Sequence, residues 1–262
     1  MFEPFIFLFN YRKILFRTSF SEIKKRYAGS FLGPLWIIVY PVLFLFVYST
    51  VYIHIFKIKF NILNSNEYVL LMFCGLIPCL GFSEALGNCT GSITANTSLV
   101  KNTMFPIELL PVRNYLTTLF SQFVSIAILI IAIVYLGRYS TIMPFFFLIL
   151  FLQILFTTGI GWILSSLNVF IRDVQYIVNI AVFLLIILSP IAYTIDMIPE
   201  KLKFYLGLNP LFYFVVSYQE IMMFGRLPEA KILIIMSIFS LVSFFGGFFV
   251  FKRLKPAFPD YI

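Results

Sequence analysis

Charge is scarce in this chain. Only 11% of its 262 residues are Asp, Glu, Lys or Arg, against roughly 25% in a soluble domain, which excludes an ordinary water-soluble globule. Histidine occurs once, at His54, and no paired ligands offer metal-binding spacing. The three cysteines, Cys74, Cys79 and Cys89, also lack that spacing and fall in or beside one apolar run, so they read as small core residues rather than redox groups. No Gly-rich phosphate loop of the G-x-x-x-x-G-K-[ST] kind appears, and neither does a nucleophile beside a base or a cluster of carboxylates for a transferase metal. No catalytic residue and no cofactor is therefore expected in this chain, and His54 reads as an interfacial polar residue.

Apolar residues make up 61% of the chain and aromatics 19%, the composition of a membrane protein. Charges punctuate the sequence, leaving residues 27–56, 68–83, 114–137, 139–171, 174–195 and 232–251 without any. Each run can hold a spanning helix of about 20 residues, the second only if Glu67 or Glu84 sits at a membrane face. Six spans follow: about 34–56, 67–88, 109–136, 143–167, 176–193 and 231–251.

The net charge of +8 does not point to nucleic acid. Six basic residues lie in 12–26 and three in the tail segment KRLKP, where they anchor a cytoplasmic face on anionic membrane lipids and orient the spans. Twelve of the nineteen Lys and Arg residues then fall inside, with both termini cytoplasmic. The apolar start FEPFIFLF is short and its basic residues follow it, so no cleavable signal peptide is expected.

Residues 5–27 read as an amphipathic helix lying on the membrane. Phe9, Phe16, Phe20, Ile23 and Tyr27 recur at helical steps, while Lys13, Arg17 and Lys24 form a separate stripe. Between the second and third spans, residues 95–106 are too polar to cross and are broken by Pro106. Residues 196–228 are apolar enough to enter a bilayer but are interrupted by Asn209-Pro210 and Glu220. Two short re-entrant helices, 199–207 and 210–224, fit this stretch, and irregular backbone at that depth must be buried in protein or line a cavity. The expected fold is an all-α integral membrane domain, 1–262, with six spans, the interface helix and the two re-entrant helices.

In RYAGSFLGPLWIIVYP, residues 26–41, small residues allow a sharp turn and Pro34 sits in the first helical turn, where its missing N–H costs little. Pro41 should kink the first span, making this junction a hinge. If such a bundle transports, a gradient-driven carrier usually has mid-membrane ionisable groups. Only Glu84 and Glu220 come close, each near a span end, which favours an ATPase partner.

Five ordered segments carry a resemblance: KKRYAGSFLGPLWIIVYPVLFLFVYSTVY (24–52), LIPCLGFSEAL (76–86), ITANTSLVKNTMFPIELLPV (93–112), LNVFIRDVQYIV with LSPIAYT (167–194), and NPLFYFVVSYQEIMMFG (209–225). In order and spacing they resemble the membrane subunit of ABC-2 type polysaccharide-exporting ABC transporters, which move O-antigen, capsule or teichoic acid chains. That resemblance implies a homodimer in the bacterial inner membrane, two copies of a separate ATPase that binds ATP and magnesium, and a channel for an undecaprenyl-linked polysaccharide, O-antigen foremost. A permease for a small lipid or drug is disfavoured by an outer loop of about a dozen residues after the first span. A scaffold for glycan assembly remains a separate alternative.

The resemblance also assigns residues. Asn96, Leu99, Lys101, Asn102 and Phe105 would couple to the ATPase, and Lys24, Lys25, Arg26 and Tyr27 would lie on the interface helix, with a solvated loop and lipid-headgroup anchoring as the plainer readings. Arg172 and Asp173 would pair, guard the channel entrance or cap a helix. Trp36, Tyr40, Tyr48, Phe183 and Tyr193 are candidates for stacking on sugar rings along the channel, or for lipid-facing and core packing.

Overall fold

A computed structural model describes residues 3–55, 64–102 and 105–261. Every regular element among them is helical. In chain order these are α1 (Glu3–Asn10), α2 (Arg12–Tyr27), α3 (Trp36–Thr50), α4 (Ser65–Thr90), α5 (Thr97–Asn102), α6 (Leu109–Tyr135), α7 (Phe146–Phe170), α8 (Val174–Ile187), α9 (Glu200–Leu206), α10 (Pro210–Met222), α11 (Ala230–Leu254) and α12 (Phe258–Tyr261). The interface helix expected at 5–27 is thus two helices, because Tyr11 leaves helical geometry at ψ 8°.

Five segments are long and apolar enough to cross a membrane: Gly33–Ile55, Ser65–Thr90, Leu109–Tyr135, Met143–Phe170 and Ala230–Tyr261. The segment expected at 176–193 is helical only as α8, 14 residues, or about 21 Å of rise. Its helix stops short of Ser189-Pro190, since a proline disfavours helical backbone in the residue before it.

α4 is the central post, with 17 of its 26 residues buried. Asn64 and Glu67 form its capping box, and Arg138 Nε donates to Glu67 at 2.9 Å, tying the start of α4 to the end of α6. α7 and α11 approach backbone to backbone. A Cβ on Gly159 would stand 2.2 Å from the Ser243 carbonyl, and one on Gly247 would stand 2.2 Å from the Gly159 oxygen. Apolar side chains gain little by leaving lipid for a helix interface, so this closeness and the contacts it permits hold the pair.

The irregular stretch 188–194 is held by side chains. Asn209 Nδ2 donates to Leu185 O at 2.8 Å and Ser189 Oγ at 3.0 Å, while its Oδ1 accepts from Leu211 N, closing the end of α8 and the start of α10 together. Gln219 Nε2 donates to Pro190 O at 2.8 Å, and the Tyr68 hydroxyl donates to Ala192 O at 3.0 Å. α10 is buried at every position from Leu211 to Met222. Asn209→Leu removes three of these bonds and is expected to cost roughly 2–3 kcal/mol. A lowered melting temperature in detergent checks this, and an unchanged one counts against the bonds.

At the opposite end, where α2, α5, α12 and the last turns of α7 and α11 meet, Leu15, Val100, Leu109, Trp162, Phe251 and Phe258 share one buried cluster. Lys255 pairs with Glu108 at 2.7 Å and Lys252 pairs with Glu3, so α11 is clamped to α1 and to the start of α6.

Candidate functional site

The turn between α2 and α3 is made by two glycines with left-handed backbone, Gly29 at φ 79° and Gly33 at φ 50°, a conformation that costs any residue with a Cβ. Pro34 follows in the first turn, as its fixed φ favours. α3 then leans across α4 and α6, enclosing a cavity of about 360 Å³. Arg26 and Tyr27, expected on an outward interface, both line it. The Arg26 guanidinium pairs with Glu84 of α4. The base of α3 contributes Trp36, Tyr40 and Pro41, so the proline expected to act as a hinge stands in the cavity wall.

The cavity reaches inward to Gln122 of α6, which is 3% exposed. Gly81 makes room for it: a Cβ there would lie 2.6 Å from the Gln122 amide. Gln122 Nε2 donates to Gln153 Oε1 at 3.2 Å and to the Tyr218 hydroxyl at 3.3 Å, and Gln153 Nε2 donates to Pro78 O at 3.2 Å. Among the described residues, Gln122 Oε1 has no hydrogen-bond partner. A second cavity, about 270 Å³, shares Arg26 and is lined otherwise by Glu22, Lys25, Asn88, Asn114 and Thr117.

The polar segment after α4 folds as a short turn, Thr94–Asn96, followed by α5. Leu99 and Phe105 pack partly against the buried cluster, whereas Lys101 is exposed. Asn96 bonds back to Ser92 O at 2.8 Å and accepts from Arg113 Nη2 at 3.3 Å. Asn102 closes α5, and positions 103 and 104 lie outside the described residues. Arg113 is itself buried and also faces Glu22 of α2 at 3.8 Å. One guanidinium thus joins the N-terminal helices to the segment before α6.

The expected apolar stripe of the N-terminal helices points outward. Phe9, Phe16 and Phe20 are exposed, while Leu15 and Ser19 are the residues of α2 that bury. Lys24 lies 4.9 Å from the Phe20 ring centre. Of the five aromatic candidates, Trp36 and Tyr40 share the main cavity, and Tyr48 stacks on Tyr52 with ring centres 6.1 Å apart. Tyr193 is half-buried beyond α8, and Phe183 projects from an exposed face of α8. The structure does not gather all five. Arg172 and Asp173 are exposed in the turn before α8, where Asp173 occupies the N-cap position without a side-chain capping bond.

Several functional candidates escaped the sequence reading. Gln122, Gln153 and Arg113 were visible as polar residues within or beside apolar runs, a signal that membrane physics makes informative. The partners of Gln122 were not visible, because its contacts join residues 31 and 96 positions apart, and neither was the pairing of Arg113 with Glu22 on another helix.

Comparison with known proteins bears on this architecture. The pattern of the ABC-2 type transporter family matches residues 15–223. The chain belongs to that family. With five apolar segments of spanning length, this ABC-2 subunit is an integral membrane protein and a transport subunit. It is 30% identical over 258 residues to the O-antigen export system permease protein RfbA of Myxococcus xanthus, covering 97% of both chains. A Klebsiella pneumoniae protein of the same name is 31% identical, over 92% of this chain and 91% of that one. The polysialic acid transport protein KpsM of Escherichia coli is 28% identical, over 95% and 96% respectively.

Proposed function

We propose that this subunit forms the channel of an ATP-driven exporter that moves a lipid-linked polysaccharide, O-antigen in the first instance, across the bacterial inner membrane. The observation that carries the reading is the full-length similarity to O-antigen export permeases. In this account two copies assemble with two copies of a separate ATPase, which binds ATP and magnesium, and the glycan is carried on undecaprenyl lipid. Both termini and α5 lie on the cytoplasmic side, α8 supplies the sixth span together with the irregular chain after it, and α9 and α10 re-enter from outside.

Two physical features support the assembly. Only Ile37 and Pro41 of the Gly33–Ile55 span are buried within the subunit, and α8 presents Ile177, Ile180, Phe183, Leu184 and Ile187 outward. These faces leave room for a second copy and a channel wall. Lys101 is free of the packing that holds Leu99 and Phe105, so α5 offers a cation on a fixed base to an ATPase. A capsular polysaccharide is the second reading, favoured by the similarity to the polysialic acid transporter.

A strain lacking the protein should accumulate finished, lipid-linked glycan on the cytoplasmic side. Normal surface polysaccharide in that strain would sink the proposal. Lys101→Glu should at least halve both ATPase co-purification and glycan export, and unchanged values in both would remove α5 from the coupling role.

A further inference from the structure

The chain between Thr94 and Glu108, which carries α5, is gripped at both ends by one helix. Asn168 Nδ2, in the last turn of α7, donates to Thr94 Oγ1 at 3.3 Å, and Trp162 Nε1 of the same helix donates to Glu108 O at 2.9 Å. Both side chains are buried. The Thr94 hydroxyl also donates to Gly91 O at 3.2 Å, so the end of α4, the turn before α5 and α7 share one chain of bonds. Among the described residues, Asn168 Oδ1 is buried without a partner. An apolar side chain would fill that position without the cost of an unpaired carbonyl, and what the asparagine adds is the bond to Thr94.

Further along, the same helix holds α10. The Tyr218 hydroxyl donates to Gln153 Oε1, the Phe146 ring meets Tyr218 edge-on with ring centres 4.6 Å apart, and Phe156 meets Phe214 at 5.6 Å. Phe146, Gln153 and Phe156 recur at helical spacing, so one face of α7 carries all three contacts. Gln122 of α6 braces the joint by donating to the same hydroxyl.

Between these two grips α7 is built not to bend. Gln153 and Asn168 are separated by roughly 22 Å of helix rise, and no proline lies between them. α11 splints that stretch: its backbone lies against Gly159, and its Phe244 and Phe248 rings meet Trp162 at 5.3 and 5.1 Å. α4 runs between the same regions, but Pro78 interrupts it. A close-packed interior transmits displacement rather than absorbing it, so a shift of the α5 segment travels along α7 and arrives at Tyr218.

We propose that Thr94, Asn168, Gln153 and Tyr218 are positioning residues of one mechanical link, in which α7 carries movement of the α5 segment to α10. The link rests on the reading of α5 as the ATPase-facing segment and is independent of which glycan is exported.

Hydrogen–deuterium exchange of the subunit in complex with its co-purifying ATPase tests it. ATP trapped with vanadate is expected to change amide exchange in Pro210–Met222 by about threefold or more relative to the nucleotide-free complex. Thr94→Val removes the acceptor for Asn168, and Tyr218→Phe removes the donor to Gln153. Each should abolish the nucleotide response of α10 while ATPase co-purification and melting temperature stay near wild type. Thr94→Ser keeps the hydroxyl and should keep the response. Should Thr94→Val fail to accumulate, Asn168→Leu, which removes the donor and the unpaired carbonyl together, takes its place. Exchange in α10 that ignores nucleotide in a hydrolysing complex, a response undiminished in Thr94→Val or Tyr218→Phe, or a response lost equally in Thr94→Ser each overturns the link. Unchanged ATPase co-purification and export in Lys101→Glu is a separate result, and it removes the ATPase-facing reading of α5 whatever the exchange of α10 shows.

Discussion

Gly247→Val is expected to abolish accumulation of the folded subunit. At the α7–α11 crossing a Cβ on residue 247 would meet the Gly159 oxygen at 2.2 Å, and the reciprocal contact from Gly159 strikes the backbone of Ser243. Neither obstacle is a flexible side chain, so the helices must separate. Overpacking in a core typically costs 1–3 kcal/mol where side chains yield, and a backbone clash at the centre of two 25-residue helices should exceed about 3 kcal/mol. Separation would also pull Ser243 Oγ from Phe156 O, a bond of 2.9 Å. Gel-filtration yield in detergent reads the effect, and a monodisperse Gly247→Val protein with wild-type melting would contradict the crossing. Gly246 has open space where a Cβ would go, so Gly246→Val serves as the tolerated neighbour.

The second large effect is an asymmetry at Arg113. Removing the carboxylate in Glu22→Ala leaves a buried guanidinium with only the amide oxygens of Asn96 and Asn114, at 3.3 and 3.4 Å. Stranding a buried charge costs more than deleting it, although Glu22 is itself 37% exposed and the penalty is accordingly discounted to roughly 1–2 kcal/mol. Arg113→Met deletes the charge and keeps the bulk, so its melting temperature should fall less than that of Glu22→Ala. Its export should fall further, by tenfold or more, because Arg113 is the joint between α2 and the Thr94–Asn96 turn. Equal melting losses with export intact in Arg113→Met would show that the residue is a structural pin and transmits nothing.

What could be read from the sequence was what short stretches of chain decide. Long charge-free runs gave the five long helices because burial in lipid requires them to be continuous and apolar. Asn209-Pro210 marked the start of α10 because an Asn cap and a Pro in the first turn act locally, and the structure shows both. The end of α8 was also written locally, in Ser189-Pro190, but a search for uncharged runs passes over it. The Tyr11 break was hidden because the apolar pattern carries on across it.

Partnership between distant residues was not legible. Arg26 and Glu84 each looked like a membrane-edge charge, and nothing in composition or period joins them. Gly159 and Gly247 were ordinary small residues until the crossing brought their backbones together. For the same reason the aromatic candidates separated. Trp36 and Tyr40 lie one helical turn apart and share a cavity, whereas Phe183 and Tyr193 belong to other surfaces. Gln122 was a polar residue in an apolar run, and only the packing shows that its amide lies against Gly81 and bonds to Gln153 and Tyr218.

Vesicle reconstitution tests the central claim most directly. The subunit is incorporated with the ATPase that co-purifies with it, lipid-linked glycan from the strain lacking the protein is supplied on the ATPase-bearing side, and appearance of glycan on the opposite side is measured with a glycan-binding lectin. The account predicts transfer that requires ATP and is lost in Arg113→Met. Transfer that proceeds equally without ATP, or no transfer by an intact and ATP-hydrolysing complex, would contradict it.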